Sequence, residues 1–121
     1  MLKKSRFAII LKVANLDVCR SFYQNILDLG DPEMNSSFRV EFRTGEDCSL
    51  ILEQQTPDEA LSAIDYESPL SWKIRIKNLD EIKERLLDNG YEMPLKAKDH
   101  NGEFLLGCKD PEGNTFYLQS E

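Results

Sequence analysis

The chain has 121 residues, of which 40% are hydrophobic and 31% charged, and its formal net charge at pH 7 is -7. A chain of this length forms one compact unit, or two half-size modules that share a core. The negative charge argues against general binding of nucleic acid or anionic lipid, and no apolar run approaches the roughly 18 residues of a membrane span. Its cysteines, Cys19, Cys48 and Cys108, form no CxxC pair, so we expect reduced thiols in a cytoplasmic protein.

The first half of the chain predicts a strand, a helix and further strands. Residues 7–13 are apolar and β-branched, which favours a strand. Asn15 is then a helix cap, and apolar residues at helical spacing continue to about Leu27. Alternation of apolar and charged residues over 38–42 and the run at 48–54 predict the next two strands.

The second half repeats this order after a connecting segment. A capping box with proline at the first helical position predicts a short helix over 56–64. The remaining predicted elements are a strand over 71–77, a helix that starts after Asn78 and stops at Asn89-Gly90, a strand near 91–96, a turn at Asn101-Gly102 and strands over 104–108 and 115–119.

A tight turn joins the last two predicted strands. In Asp110-Pro111-Glu112-Gly113-Asn114, the aspartate carboxylate can accept hydrogen bonds from backbone N–H groups two residues on. Proline pre-sets φ at the second position, and glycine tolerates φ > 0 where the chain leaves the turn. We therefore expect a hairpin, and the residues on the inner face of its second strand decide whether metal chemistry is available.

The two halves are similar in sequence. Residues 11–17 match residues 74–80 at a constant offset of 63, and the Asn-Leu-Asp in each is identical. Residues 50–53 likewise correspond to residues 116–119 at the ends of the halves. This shared order of strand, cap and helix predicts a duplicated βαβββ unit.

These segments resemble the vicinal oxygen chelate superfamily, the group of glyoxalase I, bleomycin-resistance proteins and extradiol dioxygenases. The resemblance rests on residues 13–17 with the helix that follows, on residues 76–80, and above all on the Asp-Pro-Glu-Gly-Asn turn. It implies an α+β fold in which tandem βαβββ modules form a curled mixed sheet around a cleft, with the helices outside.

The resemblance also implies the domain organisation. We expect a single domain over residues 1–121, with module 1 at about 5–55, a linker with a short helix at about 56–68 and module 2 at about 69–121. Many members of the superfamily are homodimers, so a homodimer is expected.

The resemblance further implies where a metal site would lie. The family's metalloenzymes hold a divalent ion with His and Glu side chains on inner strand faces, and they leave a coordination position open for substrate oxygens. Counting along the first and last strand of each module, the matching positions here are Ala8, Ile51, Ser71 and Tyr117. None is a usual ligand for a divalent cation, so we expect no metal or other cofactor, and the interpretation leans away from an enzyme.

Two other residues could supply a ligand. Glu53 reaches the site only if the strand register is shifted by two residues. His100, the single histidine, lies in a predicted turn where a solvated side chain is the ordinary expectation.

Strand alternation predicts which side chains face the cleft. On the first strand Ile9, Leu11 and Val13 would pack under the helix, which leaves the alternate residues facing inward. The inward-facing set is polar and rich in bases, and it could consist only of exposed ion pairs or could grip an anionic ligand stacked near an aromatic ring. The predicted ligand-binding residues are Lys12, Arg39, Glu41, Glu53, Lys73, Arg75 and Tyr117.

Three functions remain open at this point. The preferred one is a small-molecule-binding protein, similar to the bleomycin-resistance branch, that binds an anionic or drug-like ligand without metal chemistry. The alternative is a metal-dependent lyase, isomerase or dioxygenase of the same superfamily with an unusual ligand set. The third is a dimerisation or regulatory module that binds no ligand.

Overall fold

The computed structural model describes residues 6–57, 72–92, 95–98 and 101–120. The chain divides into two compact units, Met1–Asp65 and Tyr66–Glu121. Most of the helix predicted over 56–64 lies outside the described residues. Among the helices that the structure describes, none is long and apolar enough to cross a membrane.

The N-terminal unit is a mixed four-stranded sheet with a helix against it. In the part of this unit that the structure describes, the elements are β1 (Phe7–Val13), α1 (Leu16–Ser21) with a π-helical turn (Phe22–Ile26), β2 (Met34–Asn35), β3 (Arg39–Arg43) and β4 (Cys48–Gln54). The strand order is β1-β4-β3-β2. Strand β1 is parallel to β4, and the other neighbours are antiparallel.

Helix α1 starts where the sequence predicts. The side chain of Asn15 accepts a hydrogen bond from the backbone N–H of Val18 at 3.2 Å, which satisfies one of the N–H groups that a helix start leaves unpaired. The predicted helix does not stay regular to Leu27, because Leu27 donates to the carbonyl of Phe22 at 3.0 Å and closes a wider π turn. Phe22 and Tyr23 in this turn are both fully buried, with their rings edge to face at 5.1 Å.

The C-terminal unit has the same arrangement. Its described elements are β5 (Lys73–Ile76), α2 (Leu79–Asp88), β6 (Leu95–Lys98), β7 (Phe104–Lys109) and β8 (Thr115–Ser120). The strand order is β5-β8-β7-β6, with β5 parallel to β8. Equivalent strands therefore occupy equivalent places in the two sheets, which confirms the duplicated unit predicted from the sequence.

The core of the C-terminal unit lies between its sheet and α2. The buried side chains on this side of the sheet include Ile74, Ile76 and Leu118, and α2 buries Ile82 and Leu86. The indole of Trp72 stacks on the ring of Phe116 with the centroids 5.0 Å apart. Trp72, Ile74 and Ile76 are buried on the α2 side of the sheet, and the predicted site residues Lys73 and Arg75 are exposed on its other face, as strand alternation requires.

Helix α2 starts after Asn78 as predicted, but the side chain of Asn78 makes no capping hydrogen bond. One strand prediction for this unit was wrong. The strand expected near residue 91 begins at Leu95 instead, because Tyr91 donates its N–H to the carbonyl of Leu86 at 2.9 Å and closes the end of α2. Gly90, at φ +82°, provides the left-handed residue that this helix end requires.

Candidate functional site

The predicted site residues of the N-terminal unit share the face of its sheet opposite α1. The strand register places Lys12 beside Glu53 and Glu53 beside Arg39, in one row across three strands. Lys12 Nζ lies 2.9 Å from Glu53 Oε2, and Arg39 Nη2 lies 3.9 Å from Glu41 Oε2. Four of the predicted residues are thus brought together, and each base has an acid next to it.

A third base on this face is also paired. Arg43 donates from Nε and Nη2 to the two carboxylate oxygens of Glu33, at 2.7 and 3.3 Å. The hydrogen-bonded Glu33 carboxylate raises the pKa of Arg43. The basic character predicted for this face is therefore offset locally by carboxylates, which agrees with the expectation of exposed ion pairs.

In the C-terminal unit, Tyr117 lies on the sheet face opposite α2, at one of the positions for which the sequence resemblance implies a metal ligand. Its neighbours across the sheet are Lys73 on β5 and Gly107 on β7. A Cβ added to Gly107 would lie 3.5 Å from Cε1 of Tyr117 and 3.6 Å from the carbonyl oxygen of Leu95. These are ordinary van der Waals distances, so the phenol ring lies against the backbone of Gly107 and leaves room for a Cβ there.

The ring of Tyr117 forms part of the wall of a cavity of about 470 Å³ within the C-terminal unit. The cavity lies where α2 ends, β6 begins and the β7–β8 hairpin turns. Its described lining combines apolar and aromatic side chains with three charged residues, Glu92, Lys109 and Asp110. The other main contributors are Leu86, Tyr91, Leu95, Cys108, Pro111 and Thr115.

The Asp110–Asn114 turn builds one wall of this cavity. Asp110 Oδ1 accepts hydrogen bonds from the N–H groups of Glu112 at 2.9 Å and Asn114 at 2.8 Å, and Oδ2 accepts from Asn114 Nδ2 at 2.9 Å. Gly113 has φ +84°. The predicted turn chemistry is confirmed, and the 4% exposed Asp110 is committed to holding the turn.

Cys108 lies beside this turn with its thiol directed toward the α2 side of the sheet. Burial raises its pKa from 9.0 to about 11, because the apolar surroundings disfavour the thiolate. The side chain is 6% exposed, and it donates weakly to the carbonyl of Leu106 at 3.7 Å. A thiol held neutral in this way is a poor nucleophile at neutral pH.

Arg75 is part of a polar chain farther along the same sheet face as Tyr117. Its Nε lies 3.4 Å from Gln119 Oε1, and Gln119 Nε2 donates to Glu103 at 2.9 Å. Gln119 is 4% exposed, so these contacts satisfy a buried amide. This arrangement gives Arg75 a structural partner rather than a place in the cavity lining.

The structure describes three of the four positions at which the family resemblance implies metal ligands. Ala8 is exposed on β1, Ile51 is buried on β4, and Tyr117 lies over Gly107; Ser71 and His100 lie outside the described residues. Across residues 6–57, 72–92, 95–98 and 101–120, no group of three or more His, Cys, Asp or Glu could hold a metal. Glu53, the nearest carboxylate in sequence, is paired with Lys12 instead.

The cavity includes residues that the sequence analysis did not select. Tyr117 was predicted as a site residue, but Tyr91, Gly107 and Lys109 were not. Gly107 carried a weak signal, because a glycine inside a strand can mark the approach of another group, and the ring of Tyr117 lies in ordinary contact distance of it. The role of Tyr91 carried no such signal, since it depends on where α2 ends.

Solved structures of several proteins are similar to this chain along almost its whole length. A lactoylglutathione lyase from Agrobacterium tumefaciens is 20% identical over 94% of this chain and 91% of its own, with a TM-score of 0.67. A glyoxalase-related enzyme from Fulvimarina pelagi is 14% identical over 100% of this chain and 89% of its own, with a TM-score of 0.70. A glyoxalase/bleomycin resistance protein from Catenulispora acidiphila is 15% identical over 98% and 99%, with a TM-score of 0.64.

No protein-family model and no curated protein matches the sequence. The structural similarity shows the fold: the chain has the α+β fold of the glyoxalase/bleomycin-resistance proteins. The sequence motifs predicted this fold correctly.

Proposed function

We propose that this protein binds a small molecule without the metal chemistry of its superfamily, and that the ligand occupies the cavity of the C-terminal unit. The observation that carries the proposal is Tyr117. At a position where a metalloenzyme of this fold presents a ligand to the metal, this chain places a phenol ring across Gly107 and into the cavity wall.

The cavity has the properties of a binding site for small organic molecules. Its volume of about 470 Å³ falls within the range of roughly 300–1,000 Å³ that is usual for such sites. Its lining combines two tyrosines and several apolar side chains with a few polar groups, which is the composition that buries a ligand's body and orients it. The earlier expectation of an anionic or drug-like ligand is compatible with this lining and remains a proposal.

A ligand screen with a matched pair of variants tests this proposal. Thermal unfolding is recorded with a library of drug-sized aromatic compounds, and hits are remeasured with Tyr117→Ala and with Tyr23→Phe as the control. Tyr23 is fully buried in the N-terminal unit, so its change leaves the cavity intact. We expect hits whose affinity falls at least tenfold in Tyr117→Ala and stays unchanged in the control. A library without hits, or hits indifferent to Tyr117→Ala, would overturn the proposal.

Metal analysis tests the other half of the proposal. Protein purified without chelators is expected to contain less than about 0.1 equivalent of Zn, Ni, Mn or Fe, and adding these ions should leave the unfolding temperature unchanged. A stoichiometric metal would instead support the alternative function, a metal-dependent lyase, isomerase or dioxygenase.

We also propose that the protein is a homodimer in the reducing cytoplasm. The dimer rests on the family resemblance, and sedimentation equilibrium tests it by giving twice the chain mass. The compartment is supported by Cys19, Cys48 and Cys108, which are all free thiols. Titration of the unfolded protein under non-reducing conditions should therefore find three thiols per chain.

A further inference from the structure

We infer that the cavity of the C-terminal unit takes a planar aromatic acid, with its ring against Tyr117 and its acidic group at Lys109. This inference rests on the proposed function and adds the chemical class of the ligand. It comes from three features of the cavity: its flat aromatic and apolar walls, the state of its charged groups, and the position of the neighbouring bases.

The walls favour a flat ring. Tyr117 lies across Gly107, which has no side chain, and Tyr91, Leu95 and Pro111 contribute further aromatic and apolar surface. Aromatic rings pack in offset-stacked or edge-to-face arrangements, and such pairs are more favourable than their buried area alone predicts. A planar ligand can therefore use Tyr117 on one side and the apolar side chains on the other.

The charged side chains of the lining differ in whether they already have hydrogen-bond or ion-pair partners within the protein. The carboxylate of Asp110 already accepts three hydrogen bonds inside its own turn, so it is not offered to a cation. Lys109 is exposed and, among the described residues, takes part in no ion pair. Thr115 lies opposite Lys109 in the strand register and brings a hydroxyl donor to the same end of the cavity.

The neighbouring bases strengthen the preference for an anion. Lys73 is the strand neighbour of Tyr117 on the side away from Gly107, and it is exposed. Lys73 and Lys109 therefore lie on the same sheet face as Tyr117, on the strands to either side of β8, and Lys109 also lines the cavity. The opposing charges in the lining are Asp110, whose carboxylate is engaged in its own turn, and Glu92, which is exposed on the segment after α2 rather than on the sheet. Arg75 is engaged with Gln119 and is not expected to contribute.

A series of indole compounds that differ only in charge tests the inference. Indole-3-acetate is the anion, indole-3-acetamide the neutral compound, tryptamine the cation and tryptophan the zwitterion. Affinities are measured by titration with two-dimensional NMR, which also reports whether the amides of Gly107 and Tyr117 shift. We expect indole-3-acetate to bind at least tenfold tighter than each of the others and to shift those two amides.

Two variants that each remove one lysine charge are compared. They distinguish a direct contact between the ligand and Lys109 from the general effect of a change in net charge. Lys109→Gln is expected to weaken indole-3-acetate about tenfold and to leave indole-3-acetamide unchanged. Lys96→Gln is the control, because Lys96 is exposed on β6 and is not part of the cavity lining. Equal affinities in the two variants would reject the role of Lys109. Circular dichroism and the unfolding temperature verify that both variants are folded.

Other results of the indole series and the compound library distinguish a wrong ligand class from a wrong proposed function. Tightest binding by tryptamine or by tryptophan would show that Glu92 governs recognition and would overturn the anionic class. If no indole compound binds while the library yields ligands sensitive to Tyr117→Ala, the ligand class is wrong and the proposed function stands. If neither set binds, the proposed function itself fails.

Discussion

Asp110 shows how one buried carboxylate fixes a turn on which the cavity depends. It is 4% exposed and accepts two backbone hydrogen bonds and one from a side chain. Hydrogen bonds to a charged acceptor contribute more than neutral ones, at about 1.5–3 kcal/mol each before the effects of solvent access. The turn connects the end of β7 to the start of β8. Its loss would therefore loosen the cavity wall as well as the hairpin.

Replacing Asp110 should therefore be strongly destabilising. Asp110→Ala leaves the N–H groups of Glu112 and Asn114 without their acceptor, and we expect the free energy of unfolding to fall by about 2–4 kcal/mol. Asn114→Ala is the matched control, because it removes only the bond from Nδ2 to Asp110 and should lower stability by about 1 kcal/mol. Urea unfolding measures both. Equal effects of the two substitutions would show that the aspartate does not hold the turn through its backbone contacts.

Cys108 should make stability depend on pH above neutrality. Burial raises its folded pKa from 9.0 to about 11, so the folded state favours the protonated thiol. That contribution is complete below about pH 9 and is lost as pH rises toward 11, where the unfolded thiol has already ionised. The full shift corresponds to about 2–3 kcal/mol.

The comparison with Cys108→Ala isolates this effect from other groups that titrate in the same range. Unfolding by urea is measured for both proteins at pH 8 and pH 10.5, with a phosphine reductant present throughout. We expect the stability advantage of the natural protein over the variant to shrink by about 1–2 kcal/mol between the two pH values. An advantage that is the same at both would mean that the thiol ionises as easily in the folded chain as in the unfolded one.

At the scale of elements, the two Asn-Leu-Asp motifs give different helix starts. Asn15 caps α1 through its bond with Val18 at 3.2 Å, whereas the side chain of Asn78 makes no cap bond before α2. The start of α1 has a second support, because Gln54 at the end of β4 accepts from Leu16 N–H at 3.1 Å and donates to the carbonyl of Ala14 at 2.7 Å. Identical residues at repeated positions therefore do not make identical contributions.

This difference gives a matched pair of substitutions. Asn15→Ala should lower the free energy of unfolding by about 1 kcal/mol, the usual effect of losing a side-chain cap. Asn78→Ala should lower it by no more than a few tenths of a kcal/mol, since no cap hydrogen bond is lost. Thermal and urea unfolding of the two variants side by side provide the measurement. The expectation is contradicted if Asn78→Ala is the more damaging of the two.

Local signals explain why the elements were predictable and why parts of the site were not. The turn at Asp110, the cap at Asn15 and the alternation in the strands all depend on neighbouring residues, so the sequence carries them directly. The start of β6 depends on how Tyr91 closes α2, and the cavity depends on side chains from α2, β6, β7 and β8 meeting in space. Tyr117 could be selected through the family resemblance, whereas Lys109 could not.

At the scale of the whole molecule, the duplicated topology comes with different surfaces in the two units. On the N-terminal sheet, Lys12 and Arg43 are paired with Glu53 and Glu33 at 2.9 and 2.7 Å. On the C-terminal sheet, Lys73 and Lys109 lie near an aromatic cavity in a chain whose net charge is -7. The overall negative charge repels large polyanions, while the side chains of Lys73 and Lys109 can still attract one small anion.

The protein should therefore not bind nucleic acid despite the bases on its sheets. Neutralising phosphates requires several unpaired cations along one surface, and Lys12, Arg39 and Arg43 on the N-terminal sheet each have a carboxylate partner. We expect no change in the fluorescence anisotropy of a labelled 20-base-pair duplex at 100 mM salt, up to about 50 µM protein. The double variant Glu33→Gln/Glu53→Gln removes one carboxylate partner each from Arg43 and Lys12 and reduces the net negative charge by two, so weak, salt-sensitive binding should appear there first. Saturable binding by the natural protein with a steep salt dependence would contradict the argument, because it would require a basic surface that the ion pairs do not leave available.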